Sequence, residues 1–216
     1  MSDQPSSAGH VGPVGHVGQV GPAAQPGFVP VRGLHHFAYR CRDAEETRQF
    51  YEDVLGLPLA HIIQEDHVPS TGEYCPYVHI FFEMGDGSFI AFFDLGDDLA
   101  SDPSPNTPAW VNHLALNVES AAALQEAKRR LEDAGVEVVG VTDHGFINSI
   151  YFFDPNGIRL ELTVQVQPTD HEPAAQRRAR SRLDEWTARK NVLRASGQIK
   201  PSGQTIIRSH SHAAYR

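Results

Sequence analysis

"VNHLALNV", Val111–Val118, echoes "LHHFAYR", Leu34–Arg40, with His36 and His113 lying 77 positions apart. Both stretches read as strands, because apolar residues alternate with others and Gly or Asn lies close by. In each, a His is followed two residues later by a small Ala: His36 and Ala38, then His113 and Ala115. Side chains at i and i+2 share a face of a strand. His36, Ala38 and Arg40 therefore face one way, and His113, Ala115 and Asn117 do the same in the second copy.

The segments downstream of the two copies repeat as well. After the first comes "DAEETRQFYEDVLG", a helix that Asp43 can cap, with Glu46 three residues on as in a capping box. Gly56 stops it and Pro58 lies just beyond. After the second comes "SAAALQEAKRRLEDAG", with Leu124, Ala127 and Leu131 on one face and Gly135 as the stop. Each helix leads into three strands. The first set is expected at about 59–66, 77–84 and 88–95, its last two strands joined by Gly85-Asp86-Gly87. The second set is "VEVVGV", "NSIYFFD" and "IRLELTVQV", the last entered through "DPNG". The order is strand-helix-strand-strand-strand, twice. It implies an α+β fold of two βαβββ modules, at about 33–96 and 110–167, forming one cupped mixed sheet with helices outside.

The flanks differ in composition. Residues 1–32 are a Gly/Val/Pro/His segment without amphipathic period, expected to be a disordered tail. His10 and His16 lie there, and His210 and His212 lie in the other tail. The domain itself spans 33–168. Residues 169–216 are read as a helix and tail, with Leu183, Trp186 and Leu193 available for docking and a basic patch at Arg177, Arg178, Arg180 and Arg182. The 216-residue chain has a formal net charge of −9, which gives no nucleic-acid footprint. No apolar run approaches the roughly 18 residues of a membrane span, and no signal-peptide pattern opens the chain. The two cysteines, Cys41 and Cys75, form no disulfide framework and suit a reducing cytoplasm.

The last strand holds the chemical clue. Glu161 sits between Leu160 and Leu162, and a carboxylate in such a run is costly unless paired or bound to a cation. Arg159, Glu161 and Thr163 share one face. If the modules pair, His36, His113 and Glu161 converge in the cup. Two imidazoles and a carboxylate suit a divalent transition metal with open positions for substrate and oxygen, most simply Fe(2+), with Mn(2+) as the alternative and zinc less fitting.

These segments, with "YFFDPNGIRLELT", resemble the vicinal oxygen chelate superfamily of glyoxalases, bleomycin- and fosfomycin-resistance proteins and extradiol dioxygenases. The resemblance covers about residues 33–167. It implies a glyoxalase-like fold and the same three ligands, His36, His113 and Glu161. Within the superfamily, "HGFINSIYFFDPNGIRLE" is most similar to the signature of type I extradiol ring-cleaving dioxygenases. His144, Ile150, Tyr151, Asp154, Pro155, Gly157 and Glu161 fall in its register. The resemblance implies that His144 moves protons and Tyr151 holds a substrate oxygen by hydrogen bond. It also implies a further active-site His upstream of His113, for which His79 and His67 are the candidates.

Aligning Gly87 with Gly157 puts Ala91 opposite Glu161, where glyoxalase I-like members carry another carboxylate ligand. Asp94 could replace it only through a bulge. Phe81, Phe89, Phe93, Phe146 and Phe152 are candidates for an apolar wall, with Phe146 and His79 expected to bind substrate. Residues 64–76 are expected to loop over the cup mouth. The expected function is ring cleavage of a catechol-like diol with molecular oxygen by a homodimer or higher homo-oligomer, without nucleic acid or membrane. The alternatives are a lyase, isomerase or thiol transferase using the metal as Lewis acid, and a non-enzymatic small-molecule binder.

Overall fold

The computed structural model describes residues 31–102, 106–168 and 173–199. The Gly/Pro tail lies outside the described residues except for Val31 and Arg32, as do all four tail histidines. Residues 31–35 are exposed and belong to the first of two units, and the second begins at His36.

The first module runs β1 (His36–Arg40), α1 (Ala44–Arg48), β2 (Leu59–His67), β3 (Tyr74–Glu83) and β4 (Phe89–Asp94). The second runs β5 (Leu114–Asn117), α2 (Ala121–Asp133), β6 (Val139–Asp143), β7 (Ile147–Phe153) and β8 (Arg159–Gln165). Each module makes a four-stranded mixed sheet, ordered β1-β4-β3-β2 and β5-β8-β7-β6. The first and last strands of each module pair in parallel, and the rest pair antiparallel. The α+β fold and the duplication are as the sequence implies.

Local chemistry explains the elements. Asp43 caps α1 by accepting from the Glu46 amide at 2.7 Å. Glu46 does not complete the box; its carboxylate turns to Arg42 at 2.7 Å. α1 then widens into a π-helical turn over Gln49–Val54, which brings Phe50 and Tyr51 onto the sheet. Ser120 caps α2, and Leu124 and Leu131 are its buried residues. Gly56 and Gly135 end the two helices at positive φ, where a side chain is strained.

The β2–β3 hairpin departs from expectation. Most of residues 64–76 are strand, with only a turn between Val68 and Glu73, closed by a 2.8 Å bond from the Val68 amide to the Glu73 carbonyl. Pro76 hides this extension, since proline is excluded from regular ladders. It is tolerated here because the β2–β3 register shifts between Glu65 and His67, while β3 meets β4 only from Val78 onward.

The way the modules meet also differs from one continuous sheet. Ile80, Phe82, Ile90 and Phe92 of one sheet, and Ile150, Phe152, Leu160 and Leu162 of the other, belong to a single core with Phe50, Tyr51, Leu124 and Leu131. Tyr51 stacks on Phe82 at 5.2 Å, and Phe50 reaches Phe152 at 6.3 Å. Burying each such aromatic contributes roughly 1.5–3 kcal/mol. Within one chain the helix-bearing faces therefore share the core, and the opposite faces carry the histidines.

A buried polar joint fixes this packing. Asp154 of the "DPNG" turn accepts from the Tyr51 hydroxyl at 3.0 Å, the Ile158 amide at 2.8 Å and the Asn156 amide at 2.9 Å. Asn156 in turn accepts from the Arg42 amide at 2.9 Å and donates to Thr47 at 3.2 Å. Burial raises the Asp154 carboxyl above its ordinary range, although these donors pull it down.

The C-terminal helix α3 (Pro173–Ala195) forms as expected, but Leu183 and Trp186 remain about half exposed. Among the described residues, no helix is long and apolar enough to cross a membrane.

Candidate metal and substrate site

β8 places Glu161 beside β5 and β7. Ala115 and Tyr151 are its register partners on either side. The Glu161 residue is only 4% exposed, yet its carboxylate faces His113, with Nε2 3.1 Å from Oε2. Nδ1 of His113 lies 2.9 Å from the Val111 carbonyl. A carbonyl only accepts, so Nδ1 carries a proton, and the other ring nitrogen, Nε2, is the one aimed at Glu161. This is the orientation a metal-binding histidine needs.

Tyr151 adjoins this pair. Its ring lies edge-on to His113 at 6.3 Å, and its hydroxyl is 2.7 Å from Nε2 of His144. Burial first, and the Glu161 charge second, raise the Tyr151 hydroxyl above its ordinary value. His144 and Tyr151, which the sequence reading names for separate roles, are thus hydrogen-bonded to each other. Arg159 completes the cluster: its guanidinium carbon lies 4.3 Å from the Tyr151 ring centroid, and Nη1 donates to the Trp110 carbonyl. The alternation along β8 puts Arg159 on this face, but nothing in the spacing signals its stacking.

His36 lies in the other module. Its ring is 5.6 Å from Phe81 and 6.1 Å from His79, on the sheet face opposite the core. Among the described residues no three His, Cys, Asp or Glu side chains gather as a metal cluster within one chain. The structure therefore brings His113 and Glu161 together and leaves His36 with the first module. The reason is the shared core, which directs the two histidine-bearing faces away from the helices on both sides.

His79 is buried between Phe81 and Phe93, stacked on Phe93 at a 3.6 Å centroid distance, with no partner for Nε2 among the described residues. Burial, then the neighbouring His36, push it down to about 4. His67 instead sits edge-on to Tyr74 at the end of the hairpin. Phe81, Phe89 and Phe93 do form an aromatic face, joined by His61, which no motif in the sequence singles out. Phe152 does not: its even position on β7 turns it into the core against Phe50. Phe146 is 55% exposed just before β7.

Ala91 pairs with Ala38 as Glu161 pairs with Ala115, so the two positions are equivalent by register. Ala91 is fully buried and offers no donor. Asp94 is occupied elsewhere, accepting from the Ala44 amide at 2.9 Å and the Gly96 amide at 2.8 Å.

The two modules fall almost wholly within the span of one family model. The model of the Glyoxalase/Bleomycin resistance protein/Dioxygenase superfamily covers residues 33–162, and the chain belongs to that superfamily. It is 28% identical over 137 residues to the uncharacterized protein YwkD of Bacillus subtilis (strain 168), covering 62% of this chain and 98% of that one. It is 28% identical to the putative ring-cleaving dioxygenase MhqA of the same organism, over 62% of this chain and 40% of MhqA. Against biphenyl-2,3-diol 1,2-dioxygenase 3 of Rhodococcus globerulus the identity is again 28%, over 64% of this chain and 66% of the relative. The chain thus spans nearly all of the first relative but less than two thirds of each dioxygenase.

Proposed function

We propose that this protein is a divalent-metal-dependent oxygenase of the extradiol type, acting on a catechol-like vicinal diol. The observation that carries this is the His113–Glu161 pair at 3.1 Å, with the imidazole tautomer set by Val111 and the Tyr151–His144 pair adjoining it. A nearly buried carboxylate beside an imidazole Nε2 is a donor set that a divalent cation satisfies once Nε2 is unprotonated. His36 is the third ligand, and Fe(2+) is the favoured ion, with Mn(2+) as the alternative. The metal supplies a Lewis-acid centre at which a diol and oxygen can be held together.

His36 reaches this pair from a second copy. Among the described residues β1 and β5 each have one hydrogen-bonded neighbour, so each module presents an open edge next to its histidine. Open edges favour pairing with another chain. Setting β1 of one copy beside β5 of another would close a cup holding two such sites per dimer.

The chain's own groups divide the remaining work. Tyr151 holds a substrate oxygen by hydrogen bond. His144, bonded to the Tyr151 hydroxyl, accepts a proton from the diol and passes it on. Phe81, Phe89, Phe93 and His79 give an apolar wall that excludes water from an aromatic ring. Ala91 leaves the position of the additional carboxylate ligand of glyoxalase I-like members without a donor, which favours the oxygenase over the isomerase reading. The free cysteines fit a reducing cytoplasmic setting.

The test is oxygen uptake by anaerobically iron-loaded protein across a catechol panel. Turnover of a ring diol with one iron per chain supports the reading. Full iron loading with no turnover of any ring diol rejects the substrate class. Oxygen-independent activity with manganese, nickel or zinc would select the Lewis-acid alternative.

A further inference from the structure

We propose that Arg159 is the anion-recognising residue of this site, so that the substrate carries an anionic substituent, a carboxylate being the simplest. The inference rests on the metal-site reading above and adds the chemical class of the substrate.

The concave positions of β8 alternate Arg159, Glu161, Thr163. Arg159 is thus on the same face as the candidate ligand, two residues away, or about 7 Å along the strand. That separation matches a ring bound by two oxygens at one end and bearing a charged group at the other. The guanidinium is held from two sides. Its central carbon lies over the Tyr151 ring, 4.3 Å from the centroid, and Nη1 donates to the Trp110 carbonyl. Stacking and one hydrogen bond fix the side chain while leaving its other N–H donors for a ligand, since guanidinium carries five.

Among the described residues neither Arg159 nor Arg130, whose Nη2 donates to the Asp53 carbonyl, has a carboxylate partner, whereas other arginines of the two modules are ion-paired. Arg40 pairs with Asp97, Arg42 with Glu46, and Arg48 with Glu45, Glu52 and Asp53. Arg159 meets no carboxylate at ion-pair distance among the described residues. It also borders a cavity of about 310 Å³ lined by Tyr39, Asn112, Phe153 and Asp102, which His113, His144, Tyr151 and Glu161 do not line, so Arg159 stands between that space and the candidate ligands. A partly buried, pre-oriented guanidinium with room beside it is suited to a bidentate anion.

The test uses full-length protein loaded with Mn(II) under anaerobic conditions. Calorimetric titration compares 3,4-dihydroxybenzoate with 4-methylcatechol, on wild type, Arg159→Met and Arg159→Lys. Wild type is expected to bind the carboxylated diol more tightly. Arg159→Met is expected to weaken the carboxylated diol roughly 10- to 100-fold more than the neutral one, because charge-assisted hydrogen bonds are at stake. Arg159→Lys should recover part of the difference. Manganese stoichiometry and thermal melting, read on the same samples, report whether the variants keep the fold and the metal. Equal binding of both diols by wild type, or an equal loss of both in Arg159→Met, overturns the inference and leaves the diol reading intact. Failure of manganese-loaded wild type to bind either diol overturns both.

Discussion

The Tyr51 hydroxyl donates to Asp154 at 3.0 Å, joining the π-helical turn of the first module to the "DPNG" turn of the second. Both residues are buried, so neither polar atom has water as a substitute. Tyr51→Phe removes one donor while conserving the ring that stacks on Phe82. It is expected to cost about 1–3 kcal/mol of unfolding free energy, read by urea titration, with metal stoichiometry unchanged. A variant as stable as wild type would show that the joint does not hold the modules.

The His113–Glu161 pair should couple metal to stability. A ligand that binds only the folded state at 100 times its dissociation constant stabilises by about 2.7 kcal/mol. Wild type is therefore expected to melt at a higher temperature with Mn(II) than after chelation. His113→Ala and Glu161→Gln should lose that increment. A metal-induced shift that persists in both variants would place the ion elsewhere.

Sharing of the site between copies has its own signature. His36→Ala and His113→Ala should each lose metal as homodimers. Mixed and refolded together, they should recover about a quarter of the sites, because half the dimers are mixed and each of these has one intact site of two. No recovery, with mixed dimers confirmed by mass spectrometry, would assign all three ligands to a single chain.

The duplicated module is legible in the sequence because its signals are local: a His–x–Ala strand, a capped helix and a Gly-marked turn, each written twice. The face of Glu161 follows from strand alternation alone. How the modules meet is not legible, because Tyr51, Asp154 and Asn156 reach one another across about a hundred residues, and no periodicity encodes such a joint. Asp154, Pro155 and Gly157 read as signature residues of a site, yet Asp154 serves the interior. The stretch at 64–76 reads as a loop since Pro76 ordinarily marks a strand's end, and only the β2–β3 register shift shows how the ladder accommodates it. Phe152 shows the same limit: in "IYFFD" two adjacent rings compete for the core, and register decides for Phe152.

The two thiols should separate by reactivity. Burial pushes the Cys41 thiol up to about 11, and the residue is 1% exposed. The thiolate is the reactive form and is populated only as pH approaches that value. At pH 8 a disulfide reagent should therefore titrate one thiol per native chain, Cys75, and two after denaturation. Rapid reaction of two thiols in the native protein would mean that the α1 end of the core opens readily.

Tyr151 and His144 should act as a unit, because Nε2 and the hydroxyl are 2.7 Å apart. On the proposed reading each single change, Tyr151→Phe or His144→Ala, lowers turnover of a catechol by roughly 10²- to 10⁴-fold. The double variant should then be little worse than the weaker single, since removing either partner already breaks the proton route. Anaerobic metal stoichiometry should stay near wild type in all three, as neither residue supplies a ligand. Multiplicative losses in the double variant would mean that the two side chains contribute separately, and that their hydrogen bond only orients the loop before β7.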